Sequence, residues 1–185
     1  MTNNNWHSID EFEDINTLDQ YRTALEAGLS EEEALAVCAR CSRDNARTPI
    51  PWTDGPCAGF TTGTPWLPLN ENASALNAAS QENDPASTLS YYRRLTALRK
   101  SQEWREVFTY GRFEPAYEDE PAIMAYCRVM DGTRVLVAAN FGRDTVTLRP
   151  DYTIKRVLLS NRPTEPENTL TLKSCDVIVA ECCLS

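Results

Sequence analysis

One twenty-residue stretch constrains the fold of this chain more than any other, because it predicts a β-hairpin. The stretch AIMAYCRVMDGTRVLVAANF, residues 122–141, has a period of two on both sides of Asp131-Gly132. In a strand, successive side chains of such a pattern face opposite sides of the sheet. An Asp-Gly pair between two alternating runs is typical of a two-residue hairpin turn. Further short strand candidates follow at 144–149, 154–160, 169–173 and 176–183. This spacing predicts an antiparallel β-sandwich over residues 106–185, with the period of two starting at about 106.

The first hundred residues carry helical patterns instead. A helix is predicted over 17–28, with Thr17 as its cap and Gly28 at its end. A second helix is predicted over 31–41, where Ser30 and Glu33 form a capping box.

A third helix is predicted to begin at Asp84, with Pro85 in its first turn, and to run to about Lys100. Its predicted apolar stripe comprises Leu89, Tyr92, Leu95 and Leu98. The chain therefore divides near 101–106, into a helical part over 1–105 and an all-β part over 106–185.

Between Cys41 and Asn83 the periodicity disappears, and Gly, Pro, Asn, Thr and Trp dominate. Aperiodic stretches of this length are either functional or disordered. Trp52 and Trp66 among polar neighbours favour a packed functional loop.

Composition excludes several classes of protein. The 185 residues carry a formal net charge of −9, which argues against nucleic-acid binding. No apolar run is long enough to span a membrane, and the first ten residues do not resemble a secretory signal. Seven cysteines without such a signal are interpreted as reduced thiols of a cytoplasmic protein. Cys38 and Cys41 form a C-x-x-C pair, but no second pair at zinc spacing accompanies them, and we expect neither metal nor cofactor.

The chemistry of the loop leaves two interpretations open. Arg43 and Arg47 flank Asp44 and Asn45, and such a set, with nearby tryptophans, suits a hydroxyl-rich ligand such as a sugar. Alternatively, the two arginines make internal salt bridges that fix the loop. Composition alone favours this second interpretation.

Longer strings in the sequence resemble a known family. These are SRDNARTP, AGFTTGTPWLPLN and DPASTLSYYRRLTALRK, followed by Tyr110-Gly111, EDEPAIMAYCR and Asn140-Phe141. Together they resemble the C-terminal third of glycoside hydrolase family 13, in its oligo-1,6-glucosidase and α-glucosidase branch. The resemblance covers essentially the whole chain. It departs at Pro51, where the family more often has Gln.

The resemblance implies an α+β fragment. It would comprise the last part of a (β/α)8 TIM barrel, with the long loop after strand 8 and helix 8, followed by an antiparallel β-sandwich. It also implies a retaining glycosidase acting on α-glucosides. The family's nucleophile, acid/base and third carboxylate lie ahead of this segment, so the chain alone is expected to be inactive. Met1 coincides with a family methionine, which would make an internal start easy.

The resemblance further implies that Arg43 binds the innermost glucose, with a carboxylate partner that this chain is expected to lack. Arg47 is expected to brace the loop or to line the entrance of the pocket.

Two other interpretations remain open. The chain would be a non-catalytic carbohydrate-binding or interaction module, or a fragment that complements a separate barrel chain through the apolar face of its third helix. These residues do not decide which glycosidic linkage is cleaved. They also do not decide whether the reaction is hydrolysis, transfer or isomerisation.

Overall fold

The computed structural model describes residues 3–164 and 169–184, which belong to two compact units, 1–89 and 90–185. The helices are α1 (Ile15–Glu26), α2 (Glu31–Cys41), α3 (Ala78–Glu82), α4 (Thr88–Lys100) and α5 (Arg105–Tyr110). The strands are β1 (Arg112–Ala116), β2 (Ile123–Met130), β3 (Thr133–Asn140), β4 (Val146–Leu148), β5 (Tyr152–Ser160), β6 (Leu170–Leu172) and β7 (Val177–Leu184). Both strands of the predicted hairpin, and the strand candidates at 144–149, 154–160, 169–173 and 176–183, are thereby confirmed as elements.

The first unit has its core where α1 and α2 meet the segment that precedes them. Trp6 stacks on Phe12 with ring centroids 4.2 Å apart, and both pack with Cys38 and Leu67. Helix α2 has the predicted bounds and the predicted capping box at Ser30.

Helix α1 begins two residues before the predicted start, because Asp14 and not Thr17 is its N-cap residue. Thr17 lies in the first turn, and its hydroxyl donates to the Asp14 carboxylate at 3.2 Å. Gly28 follows the helix end with a φ of +92°, in the left-handed region that glycine enters without strain.

The predicted loop is packed rather than extended, and it contains short 3-10 turns at Arg43–Ala46 and Pro56–Gly59. In the second turn, Cys57, Ala58 and Gly59 all have positive φ angles, of 46°, 53° and 68°. The Ala58 carbonyl there accepts hydrogen bonds from the N–H groups of Trp52 and Thr53. A short helix, α3, also forms in this region and was not predicted.

Helix α4 begins at Thr88, four residues after the predicted cap, so Asp84 and Pro85 lie in the preceding turn. The Asp84 side chain accepts from the Ala86 N–H at 2.8 Å and stabilises that turn instead. The predicted apolar stripe is partly wrong, because Tyr92 is exposed and the half-buried Tyr91 packs on the core instead.

The second unit is built around a five-stranded antiparallel sheet with the order β1-β2-β3-β7-β5, and β4 pairs with β6 in a two-stranded ribbon. The ribbon covers one face of the sheet, where Cys127, Leu136, Leu148, Leu170 and Ile178 form a buried cluster. The sheet and the ribbon are the two layers of the predicted sandwich.

The other face of the sheet is covered by α4 and α5. Val135 and Val179 alternate with the residues of the first cluster and pack with Trp104, Val107 and Leu95. The segment 105–110 is therefore helical, and the prediction of a strand period from about 106 is wrong at its start. Val107 and Phe108 are adjacent apolar residues that a helix can direct towards one sheet.

The Asp131-Gly132 turn joins β2 to β3 as predicted. Both residues have positive φ angles, of 49° and 80°, which is the geometry of a type I′ turn. Cys127 lies opposite Leu136 and Met130 opposite Thr133, so the register follows directly from the two-residue turn.

Charge is unequal between the two units. Residues 1–89 carry fourteen acidic and four basic side chains, whereas residues 90–185 carry thirteen and fourteen. None of the helices in the described residues is both long and apolar enough to cross a membrane.

Candidate functional site

The candidate site lies where the N-cap residue of α1 meets the turn that follows α2. Ser42 ends α2 and starts the turn Arg43–Ala46, and its hydroxyl accepts from the N–H of Asp44 at 3.1 Å. The Thr17 hydroxyl lies 2.8 Å from the Ser42 hydroxyl and joins α1 to the same turn. These contacts place Arg43, Asp44 and Asp14 within one cluster.

Arg43 makes a bidentate ion pair with Asp14. Its Nη2 and Nε donate to the two Asp14 oxygens at 2.6 and 3.1 Å. The Asp14 side chain is 4% exposed, whereas that of Arg43 is 59% exposed. A buried carboxylate thus holds an exposed guanidinium in a fixed planar orientation. This chain therefore supplies a carboxylate partner for Arg43, whereas the upstream partner that the resemblance implies stays a prediction.

Asp44 is fully buried and fastens the chain before α1 to the turn after α2. One of its oxygens accepts from the backbone N–H groups of Glu13 and Asp14, at 2.8 and 2.9 Å. The other oxygen pairs with Nη1 of Arg47 at 3.2 Å. These three side-chain contacts, and the bond from the Asp44 N–H to Ser42, therefore serve the conformation of the loop.

Arg47 lies between the two carboxylates. Its Nη1 is 3.2 Å from Asp44 and 3.9 Å from Asp14, and its side chain is 38% exposed. This placement agrees with the interpretation that Arg47 braces the loop. It leaves Arg43 as the more accessible of the two arginines.

Asn45 joins the same turn to the start of the chain. Its Oδ1 accepts from the Trp6 indole at 2.8 Å and from the Asn4 N–H at 3.2 Å, while its Nδ2 donates to the Ala39 carbonyl. The four polar residues of the RDNAR string thus have separate roles, since Asp44 and Asn45 anchor the turn and Arg43 and Arg47 are paired cations.

The ion pair between Asp14 and Arg43 favours the charged form of both side chains. Hydrogen bonding by Arg43 lowers the pKa of Asp14 from 3.8 to about 2, despite the opposing effect of burial. The same pairing raises the pKa of Arg43. Two carboxylates and two guanidiniums balance one another, so Arg43 can present N–H donors at the surface without an uncompensated charge.

Sequence reasoning identified Arg43 and Arg47 but missed Asp14 and the anchoring role of Asp44. Asp14 stands directly before an amphipathic helix, which is a preferred cap position. This cap position could have been found from the sequence, but the capping-box pattern of Thr17 and Gln20 favoured Thr17 as the cap instead.

Metal chemistry finds no support in this cluster. In residues 3–164 and 169–184, no group of three or more His, Cys, Asp or Glu side chains is placed to hold a metal ion. Cys38 is buried and its thiol donates to the Thr17 carbonyl at 3.6 Å, whereas Cys41 is exposed.

Comparison with known proteins identifies the family. Residues 3–110 match the model of the alpha-amylase catalytic domain, and residues 114–179 match a domain of unknown function. The chain belongs to the alpha-amylase family. Members of this glycoside hydrolase family include oligo-1,6-glucosidases, so the resemblance of the RDNAR loop is confirmed.

Two relatives in the alpha-amylase family illustrate the extent of the match. The oligo-1,6-glucosidase of Parageobacillus thermoglucosidasius is 38% identical over 166 residues, covering 87% of this chain and 29% of the relative. The trehalose-6-phosphate hydrolase of Bacillus subtilis is 33% identical over 186 residues, covering 97% of this chain and 33% of the relative. The chain thus spans about a third of the length of these relatives.

Solved structures of family members share the fold. The trehalose-6-phosphate hydrolase of Bacillus licheniformis superposes with a TM-score of 0.88 at 35% identity, over 99% of this chain and 34% of that protein. The isomaltulose synthase of a Klebsiella species gives a TM-score of 0.88 at 29% identity, over 98% and 33%. The predicted fold class is confirmed, since the chain is an α+β fragment whose structural neighbours are TIM-barrel enzymes with a C-terminal sandwich domain.

Proposed function

We propose that this chain is the C-terminal portion of a retaining glycoside hydrolase of the α-glucosidase or oligo-1,6-glucosidase type, with an α-glucoside oligosaccharide as the substrate of the intact enzyme. Residues 1–105 would be the last part of the catalytic barrel and residues 106–185 the sandwich domain. The family matches to residues 3–110 and 114–179 support this division.

The observation that carries the proposal is the geometry of Arg43. A guanidinium that is fixed by a buried carboxylate and still 59% exposed can direct its remaining N–H groups at sugar hydroxyls. Arg43 would thus help to hold a glucosyl unit, and Arg47 would keep the loop in place behind it. Cleavage itself would depend on a nucleophile and an acid/base contributed by the preceding part of the barrel.

The state of the thiols supports a proposed cellular location. All seven cysteines lie among the described residues and are unpaired. Free thiols persist in a reducing compartment, so the cytoplasm is the proposed location.

A chimeric enzyme tests the proposal. The matched C-terminal segment of the Parageobacillus oligo-1,6-glucosidase would be replaced by this chain, and hydrolysis of isomaltose would be measured. We expect the chimera to be active, and Arg43→Gln to lower kcat/KM by about tenfold or more, because a charge-assisted hydrogen bond is lost.

The matched control is Arg22→Gln, which removes an exposed arginine that pairs only with Asp19 on α1. This variant should keep the activity of the chimera. A folded chimera with no activity would contradict the proposed family role. An active chimera in which both substitutions have equal effects would contradict the role of Arg43.

The alternative that this chain complements a separate barrel chain has less support from the structure than from the sequence. The apolar stripe of α4, comprising Tyr91, Leu95 and Leu98, packs on the sheet of the second unit and is not an unpartnered face. Tyr92, which is 63% exposed, is the large aromatic side chain of α4 that remains accessible for such a partner.

A further inference from the structure

A basic cleft lies in the second unit where α4, α5, the edge strand β1 and its neighbour β2 come together. We call it the α4–α5 cleft. It consists of three adjoining cavities of about 320, 300 and 490 Å³, and Arg99 lines all three. Its lining includes Tyr92, Arg99, Phe108, Phe113, Tyr126 and Arg128.

The charges that line the cleft are all of one sign. Four cationic side chains contribute to it, and no Asp or Glu does. Arg105 pairs with the exposed Glu106, but Arg99 has no ion-pair partner in the described part of the chain. In a chain with a net charge of −9, a lining without acids is complementary to an anion.

One of these cations is held in place. Arg128 on β2 donates to two backbone carbonyls of α5, those of Val107 and Thr109, at 3.5 and 3.2 Å. These bonds fix its guanidinium beside the cavity that Arg99 also lines. The cleft therefore combines one guanidinium fixed by hydrogen bonds with one, that of Arg99, for which the described residues provide no ion-pair partner.

The remaining wall of the cleft is aromatic. Phe113 on β1 and Tyr126 on β2 stack with ring centroids 5.0 Å apart and an interplanar angle of 28°, and Phe113 is 55% exposed. Phe108 and Tyr92 add further aromatic surface. The helix dipole alone would explain cations at the end of α4, but not their position beside an open aromatic wall.

We propose that the α4–α5 cleft binds a small organic anion in which a phosphate or carboxylate group is attached to a flat ring. The ring packs on Phe113 and Tyr126, and the anionic group lies between Arg99 and Arg128. The volumes match those of small-molecule sites, in which an apolar wall supplies contact area and a few polar groups fix orientation. Arginine suits the anionic group because its planar N–H fork matches phosphate and carboxylate oxygens.

Phenyl phosphate is the probe that tests this proposal, because it carries both features in one molecule. The 185-residue chain, labelled with ¹⁵N, would be titrated with phenyl phosphate, inorganic phosphate and phenol in separate NMR experiments. We expect phenyl phosphate to bind with a Kd on the order of 1 mM or tighter. Shifts should be confined to amides around α5, β1 and β2. Each half-molecule should bind about tenfold more weakly or not at all.

Three variants assign the contacts. Arg99→Gln should weaken phenyl phosphate binding by about tenfold, since it removes a charge-assisted hydrogen bond. Phe113→Ser should weaken binding of phenyl phosphate but leave that of inorganic phosphate unchanged. Arg149→Gln, which removes an exposed arginine outside the cleft, should have no effect.

Several outcomes would overturn the proposal. No shift with any probe at ~10 mM would show that the cleft binds no such anion. Equal affinities for phenyl phosphate and inorganic phosphate would refute the role of the ring. Equal effects of Arg99→Gln and Arg149→Gln would show that binding depends on overall charge and not on the cleft. The ¹⁵N spectra also report whether each variant is folded, and Arg99 and Phe113 are exposed enough for the fold to tolerate their replacement.

Discussion

Replacement of Asp44 tests whether a single carboxylate holds the candidate site together. Asp44→Ala removes the acceptor of the Asp14 N–H, which is buried, and of the Glu13 N–H, which is partly buried. A buried donor left unsatisfied costs about 1–3 kcal/mol, and the partly buried one less. The Arg47 ion pair adds little, because its guanidinium is 38% exposed. The first unit should therefore lose about 2–4 kcal/mol of stability.

Asp44→Asn is the informative companion, because its amide oxygen can still accept from both N–H groups. It should lose about 1 kcal/mol, from the weaker acceptor and the lost charge. Asp19→Ala is the matched control, since Asp19 forms an exposed pair with Arg22 on α1 and should change stability by less than about 0.5 kcal/mol.

Hydrogen exchange measures these effects locally. Amides of α1 and α2 report the opening free energy of the first unit, and sheet amides of β3 and β7 serve as the internal reference. Protection in α1 and α2 should fall strongly for Asp44→Ala, moderately for Asp44→Asn and hardly for Asp19→Ala. Equal losses for the alanine and asparagine variants would refute the argument that the acceptor oxygen is what matters.

Three further predictions concern particular residues. Because the folded pKa of Asp14 is lowered to about 2, the stability from its pair with Arg43 is fully present above pH ~4 and is lost as the pH falls through ~2; acid unfolding curves should show this loss in the original chain and not in Asp14→Asn. Cys57→Asn should stabilise the first unit by roughly 0.5 kcal/mol in urea unfolding, since asparagine tolerates the φ of +46° better, and Cys57→Val should destabilise it. Gly132→Ala should cost about 1 kcal/mol from its φ of +80° alone, because an added Cβ there meets no atom within 4 Å; Gly63→Ala, at a glycine without a positive φ, should cost less in the same measurement.

Local patterns predicted the second unit well. The alternation on both sides of Asp131-Gly132 determines which side chains of β2 and β3 face the ribbon and which face α4. The turn type determines the register, and both are contained in a short stretch of chain. Helix α5 was missed, because six residues with two adjacent apolar side chains satisfy neither the helical nor the strand period.

The first unit was harder to predict, because its key contacts join residues far apart in the sequence. Ser30 and Glu33 gave the start of α2 correctly, since a capping box is local. The pairing of Arg43 with Asp14 crosses 29 positions, and the Asp44 bond to the Asp14 N–H crosses 30. No local pattern encodes these contacts, although the family resemblance marked Arg43 for attention.

The start of α4 shows how a local rule can be overridden. Asp84-Pro85 has the composition of a helix start, but the Ser87 hydroxyl donates to the Gln81 carbonyl and the Leu89 N–H to the Gln81 side chain. These contacts with α3 hold residues 84–87 in a turn and delay the helix. A capping signal therefore identified a real change of direction but misplaced the first helical residue.

Under the proposed function, Arg43 contributes a fixed guanidinium to the sugar site of the intact enzyme, and cleavage depends on catalytic groups that this segment does not supply. The most direct measurement is release of nitrophenol from p-nitrophenyl α-glucoside by the purified 185-residue chain, compared with buffer alone and with the Arg43→Gln variant. The account predicts the same rate in all three samples. Sustained release by the chain that is lost in Arg43→Gln would contradict it, because the chain would then contain its own nucleophile and acid.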